Sequence, residues 1–112
     1  MTIKSIYLSG PMTGKPDFNR PYFNEIARKL RQAGFMVYNP GEVGPEDWTW
    51  SDYMKRDIQW LLEADAIMML PGHEESKGAR LERTIAIELQ IHFIDMTLFL
   101  AHLDKLDSIM PA

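Results

Sequence analysis

Residues 66–70 read "AIMML", five apolar side chains in a row between two stretches of helical period. A run that short and that continuous is the pattern of a strand buried on both faces, which requires helices above and below its sheet. The flanking sequence supplies them. Upstream, Met54, Ile58 and Leu61 share one face of a helix expected over Asp52 to Glu63, with Ser51 as its cap. Downstream, a third helix is expected from Ala79 to about Phe93. Nearer the N-terminus, "IKSIYLSG" is rich in β-formers and ends at the turn signal Gly10-Pro11. From Asp17 to Ala33 the residues Phe18, Tyr22, Phe23, Ile26, Ala27 and Leu30 recur at helical spacing, and Gly34 is the stop. "FMVYNPG" reads as a second strand and "MTLFLA" as the final one; the tail from His102 to Ala112 matches neither period cleanly.

Strands and helices in alternation predict an α/β fold. Residues 1–112 are expected to form one Rossmann-like or flavodoxin-like sandwich, with a mainly parallel sheet of about 4–5 strands flanked by helices. In such a sheet the ligand lies beyond the carboxyl ends of the strands. The loops "SGPMTG", "NPGEVG" and "PGHEESKG" should therefore converge.

Composition narrows the function classes. The hydrophobic fraction of 46% and charged fraction of 25% are those of an ordinary globular chain. There is no cysteine, and the three His lack ligand spacing, so no metal site and no cofactor is expected. The net charge of −4 argues against a groove for polymeric nucleic acid, which needs a basic face. No signal peptide and no run of membrane-spanning length is visible, so a cytoplasmic protein that does not enter membranes is expected.

Two carboxylates stand out of pattern. Glu82, Ile85, Ala86, Leu89 and Phe93 define one stripe of the third helix, and Glu82 is its sole charged member. It lies in the first turn, nearest the expected ligand edge. A carboxylate favoured by the helix dipole, worth a few tenths to ~1 kcal/mol, is the purely structural alternative. Asp57 borders the apolar face of the second helix, between Met54 and Leu61. Two carboxylates converging on a cleft from different helices can act as nucleophile and general acid, the pairing that glycoside cleavage uses. Asp65, at the end of that helix, reads as structural. Ser76 and Gly78 can offer a hydroxyl and free N–H groups to an anion, although Ser-x-Gly before a helix is also plain capping chemistry. Gly10 and Gly14 in "SGPMTG" suit a ligand-cradling turn without the Gly-Lys-Ser/Thr of a P-loop.

Three segments in order, "IYLSGPMTG", "DIQWLLEADAIMML" and "SKGARLE", resemble the nucleoside 2-deoxyribosyltransferase superfamily, which includes 2'-deoxynucleoside 5'-monophosphate N-glycosidases. The resemblance spans nearly the whole chain and points to a small phage and prophage branch. It implies that Glu82, in Ser76-x-Gly78-x-x-x-Glu82, attacks the sugar anomeric carbon, that Asp57 assists the leaving base, and that Tyr7 touches the nucleophile. It further implies substrate-binding roles for Gly10, Met12, Thr13, Ser76 and Gly78. Thr13 stands where nucleotide-hydrolysing members carry a phosphate-binding Arg; Lys15, Arg20 or Lys77 are the alternative cations. Glu74 and Glu75 would repel a phosphate, and Ala79-Arg80 replaces a glycine common among members.

The implied function is cleavage of the N-glycosidic bond of a (2'-deoxy)nucleoside or nucleotide, followed by hydrolysis or transfer to another base. Trp48 or Trp50 is a candidate to stack on the base. The alternative is a non-catalytic nucleotide-binding accessory protein on the same fold. The resemblance also implies a homodimer or higher homo-oligomer. The sequence adds apolar residues on several faces of the third helix, with Ile87 and Ile91 as the candidate contact.

Overall fold

The computed structural model describes residues 2–109, with side chains through residue 106. Its strands are β1 (Ser5–Ser9), β2 (Met36–Tyr38), β3 (Ala66–Met69) and β4 (His92–Ile94). Its helices are α1 (Arg20–Gln32), α2 (Trp50–Glu63), α3 (Lys77–Glu88) and α4 (Met96–Ile109), with single 3-10 turns at Pro16–Asn19 and His73–Glu75. The strands form one sheet in the order β2-β1-β3-β4, and every neighbouring pair is parallel. This is the flanked parallel sheet expected from the alternation of periods.

The period-2 alternation of β1 divides the core. Ile6 and Leu8 pack with Phe23, Ile26, Ala27 and Leu30 of α1, and α4 covers the same cluster through Met96, Phe99, Leu100 and Leu103. Tyr7, on the other face, packs with Leu61 of α2 and Ala86 of α3. The chain leaves β1 toward one face of the sheet and β3 toward the other. The crevice between their carboxyl ends is thus the switch point where such sheets bind ligands. The two strands approach closely there: a Cβ on Gly10 would lie 2.7 Å from Leu70 Cβ. At the opposite edge, Asp65 Oδ2 accepts the Lys4 and Ser5 N–H groups at 2.8 and 3.0 Å. Asp65 is structural, as read from the sequence.

Several boundaries differ from the sequence reading. The run "MTLFLA" is helical, not a strand. Asp95 accepts the Leu98 N–H at 2.9 Å and so starts α4, while His92–Ile94 already completes the sheet against Ala66–Met68. α3 stops at Glu88 because Gln90 turns left-handed at φ 57°. Leu89 and Phe93 therefore leave the expected stripe; Leu89 is 58% exposed. The first helix begins at Arg20, not Asp17, since Asp17, Phe18 and Asn19 take positive φ (49°, 52° and 61°). α2 is capped two residues earlier than expected, at Thr49 rather than Ser51, by a reciprocal Thr49–Asp52 capping box. The tail is helical to Ile109, and residues 110–112 lie outside the described residues.

Candidate functional site

β1 presents Tyr7 and Ser9 two residues apart, hence on the same face, and both are fully buried beneath α2 and α3. The first turns of α3 lay Glu82 over them. Tyr7 Oη donates to Glu82 Oε2 at 2.6 Å, and Ser9 Oγ donates to Glu82 Oε1 at 2.7 Å. Both carboxylate oxygens are thus engaged by hydroxyls, and the residue is 4% exposed. Burial raises the Glu82 pKa from 4.5 to about 7; the Tyr7 and Ser9 hydrogen bonds pull it down, and the charge of Asp57 pushes it further up. Tyr7 is driven well above the ordinary tyrosine value, first by burial and then by the charge of Glu82. It stays a neutral donor.

Asp57 enters from α2 and is 5% exposed. Burial lifts its pKa to about 6, against the opposing pull of the adjacent Arg56. Arg56 donates through Nε to Asp57 Oδ1 at 3.0 Å and through its terminal nitrogens to the carbonyls of Glu42 and Pro40 at 2.8 and 3.1 Å. Its guanidinium also rests against the rings of Trp60, Tyr53 and Trp48. The result is two buried acids with raised pKa values beside a buried phenol and serine hydroxyl. Such a group can share and relay a proton, and can offer a desolvated carboxylate once a ligand displaces a hydroxyl.

The other sequence candidates are placed around this centre unevenly. Gly10 serves the β1–β3 approach. Met12 packs against the α1 core cluster, and Thr13 is exposed. Ser76 caps α3, its Oγ accepting the Ala79 N–H at 3.2 Å. Gly78 admits Met54, whose Sδ would lie 3.0 Å from a Cβ at that position, so the glycine allows α2 and α3 to close over the carboxylates. Trp50 is exposed, with Lys77 Nζ 4.5 Å from its ring, whereas Trp48 packs edge-on against Tyr53. Arg20 lies over Phe18 and 3.7 Å from Asp17.

Ser9 and Arg56 were missed in the sequence, although signals for both were present. Ser9 is a polar residue two positions from Tyr7, on the same face of a short strand. Arg56 stands three residues after Tyr53 and four before Trp60, and next to Asp57.

Two open hollows on the surface are lined by other side chains, one by α1 with Asn39 and Glu42, the other by β4 and α4. The buried carboxylates, not the hollows, carry the unusual chemistry, because neither hollow combines burial with a shifted acid. Among the described residues, no group of three or more His, Asp or Glu side chains is placed to hold a metal ion. No helix among them is long and apolar enough to cross a membrane.

The model of a family described as Domain of unknown function (DUF4406) matches residues 4–95, which include β1 through β4 and every residue of the carboxylate site. The chain belongs to that family. No protein of curated function matches it.

Proposed function

We propose that this member of the DUF4406 family cleaves the N-glycosidic bond of a (2'-deoxy)nucleoside or nucleotide, with Glu82 as nucleophile and Asp57 as acid. The observation that carries the reading is the buried Glu82 carboxylate, held by two hydroxyls at the switch-point edge of a parallel sheet. The likeness of "IYLSGPMTG", "DIQWLLEADAIMML" and "SKGARLE" to the deoxyribosyltransferase superfamily supports it. In the first step a Glu82 oxygen bonds to C1' as the C1'–N bond breaks. The base leaves with that electron pair and takes the proton of Asp57. In the second step water attacks C1', gives a proton to the Asp57 carboxylate and releases Glu82; a second base in place of water makes the reaction a transfer. Tyr7 and Ser9 orient Glu82 and stabilise its ionised form.

A second reading has an observation of its own. Glu82 is 4% exposed with both oxygens engaged, which suits a site that binds a nucleotide-like ligand without turnover. We place either role in the cytoplasm. We also propose that the copies associate through the outer surface of α3, where Leu81 and Ile87 are exposed; Ile91, by contrast, packs inward against the Tyr7 cluster. A panel of nucleosides and deoxynucleotides, read by chromatography for free base, tests the catalytic reading. Base release by the wild type and its loss in Glu82→Gln are expected. Thermal stabilisation by a nucleotide with no product would favour the binding reading instead.

A further inference from the structure

Neighbouring residues on an α-helix point about 100° apart, so a side chain does not ordinarily reach the one beside it. Arg56 folds back to do so. Its Nε lies 3.0 Å from Asp57 Oδ1, and its Nη2 lies 3.0 Å from the same oxygen. The rest of the guanidinium is fixed independently of Asp57. Nη1 reaches the Glu42 carbonyl at 2.8 Å and Nη2 the Pro40 carbonyl at 3.1 Å. The rings of Trp60, Tyr53 and Trp48 stand 4.3, 5.2 and 5.6 Å away. Two backbone carbonyls and three aromatic faces hold the cation in one place, and Asp57 is held to it.

The arrangement distinguishes the two oxygens of Asp57. Oδ1 faces N–H donors only, so a proton on it would point at other protons. No hydrogen bond among the described residues engages Oδ2. When Asp57 is neutral, its proton belongs on Oδ2. Resting on the glycosidic reading above, we propose that Arg56 is a positioning residue: it occupies Oδ1 and so reserves Oδ2 as the atom that carries the proton to the departing base. A free carboxyl group could rotate and spend half its time with the proton on the wrong oxygen. The groups facing Asp57 are Glu82 from α3, Tyr7 from β1 and Arg56 from its own helix.

The test compares wild type, Arg56→Lys and Arg56→Met. Carbon-13 carboxyl NMR follows the titration of Asp57. Base release is measured in parallel on a deoxynucleoside with a poor leaving base and on an activated nitrophenyl deoxyriboside. Arg56 opposes the effect of burial, so in Arg56→Met the Asp57 titration is expected to move upward by roughly a pH unit. The poor substrate should lose about tenfold or more in rate while the activated one changes by less than about threefold. Arg56→Lys keeps the charge without the fork. It should titrate nearly as the wild type does yet still lose rate on the poor substrate, and it decides the matter if Arg56→Met does not fold. Equal losses on both substrates in a folded variant, or an unmoved Asp57 titration in folded Arg56→Met, would overturn the proposal. If the wild type releases base from neither substrate, the glycosidic reading fails; the NMR titration then still decides whether Arg56 governs Asp57.

Discussion

Replacing Glu82 with glutamine should stabilise this protein at high pH and cost it about 1 kcal/mol at low pH. Burial raises the Glu82 pKa from 4.5 to about 7, so the folded state holds its proton more tightly than the unfolded chain does. The stability this gives is fully present below pH 4.5 and is lost as pH rises through about 7. Full ionisation thus costs the fold about 3 kcal/mol. Glutamine has nearly the shape of the neutral acid and never ionises. Between pH 5 and pH 8.5 the advantage of Glu82→Gln over wild type should therefore grow by about 2 to 3 kcal/mol. For a chain of 112 residues that corresponds to a rise of about 8 to 12 °C in the Tm difference. A constant offset is expected besides. The amide must pair with the Tyr7 and Ser9 hydroxyls, and one of them must turn from donor to acceptor, at a cost of about 1 kcal/mol. That offset is independent of pH and cancels in the comparison. The assay is thermal denaturation of both proteins across this range. A Tm difference that stays constant to within about 2 °C, or one that shrinks as pH rises, would refute the assignment of Glu82 as a destabilised buried acid.

Other outcomes follow from the same geometry. Base release should trace a narrow bell with its maximum near pH 6.5, between the values of about 6 and about 7 for Asp57 and Glu82. The rate falls in acid as the pair becomes doubly protonated and in base as it loses its last proton. Glu82 holds the single proton more tightly than Asp57, so the reactive form, with Asp57 protonated, is the minor one even at the maximum. A flat profile from about pH 5 to 9 would exclude this pair. Asp57→Asn should slow poor leaving bases more than activated ones and should lower the Glu82 pKa, because the Asp57 charge raises it; carboxyl NMR checks the second effect without turnover. Gly10→Ala places a Cβ 2.7 Å from Leu70 Cβ and should cost about 1 to 3 kcal/mol in urea denaturation, so an unchanged midpoint would contradict the close β1–β3 approach. Ile87→Asp should convert the proposed homo-oligomer to monomer in light scattering; a wild-type monomer would remove that proposal outright.

Much of the architecture was legible because it is written in short-range periodicity. "AIMML" carried the pattern of a doubly covered strand and is one, although the helices on either side of it, α2 and α3, cover one face while α1 and α4 cover the other. Glu82 could be picked out because it interrupts an apolar stripe. Asp57 could be picked out because it borders the apolar face of its helix, whereas Tyr7 was singled out by the resemblance of segments alone; spacing gave no partner for either. Where local preferences conflict, the sequence was ambiguous. Residues 96–101 are apolar and suit either a strand or a helix. The Asp95 cap and the completion of the sheet by His92–Ile94 made them a helix. The left-handed turn at Gln90 likewise shortened α3 without a glycine to announce it.

The sequence by itself determined the first three strands and the helices between them, since each depends on side chains within a few residues of one another; its periodicity carried the third helix into β4 and marked residues 96–101 as a strand. The tertiary structure alone decided which polar groups meet. Tyr7 and Ser9 lie 75 and 73 positions from Glu82 and reach it only because β1 and β3 pair in parallel and α3 crosses back over β1. Arg56 lies beside Asp57 in the chain, yet the two carbonyls that hold its terminal nitrogens come from the loop that follows β2. Closure of α2 onto α3 through Met54 and Gly78 then excludes water from both acids. Their raised pKa values come from that burial, a property of the packed assembly that no stretch of residues carries alone.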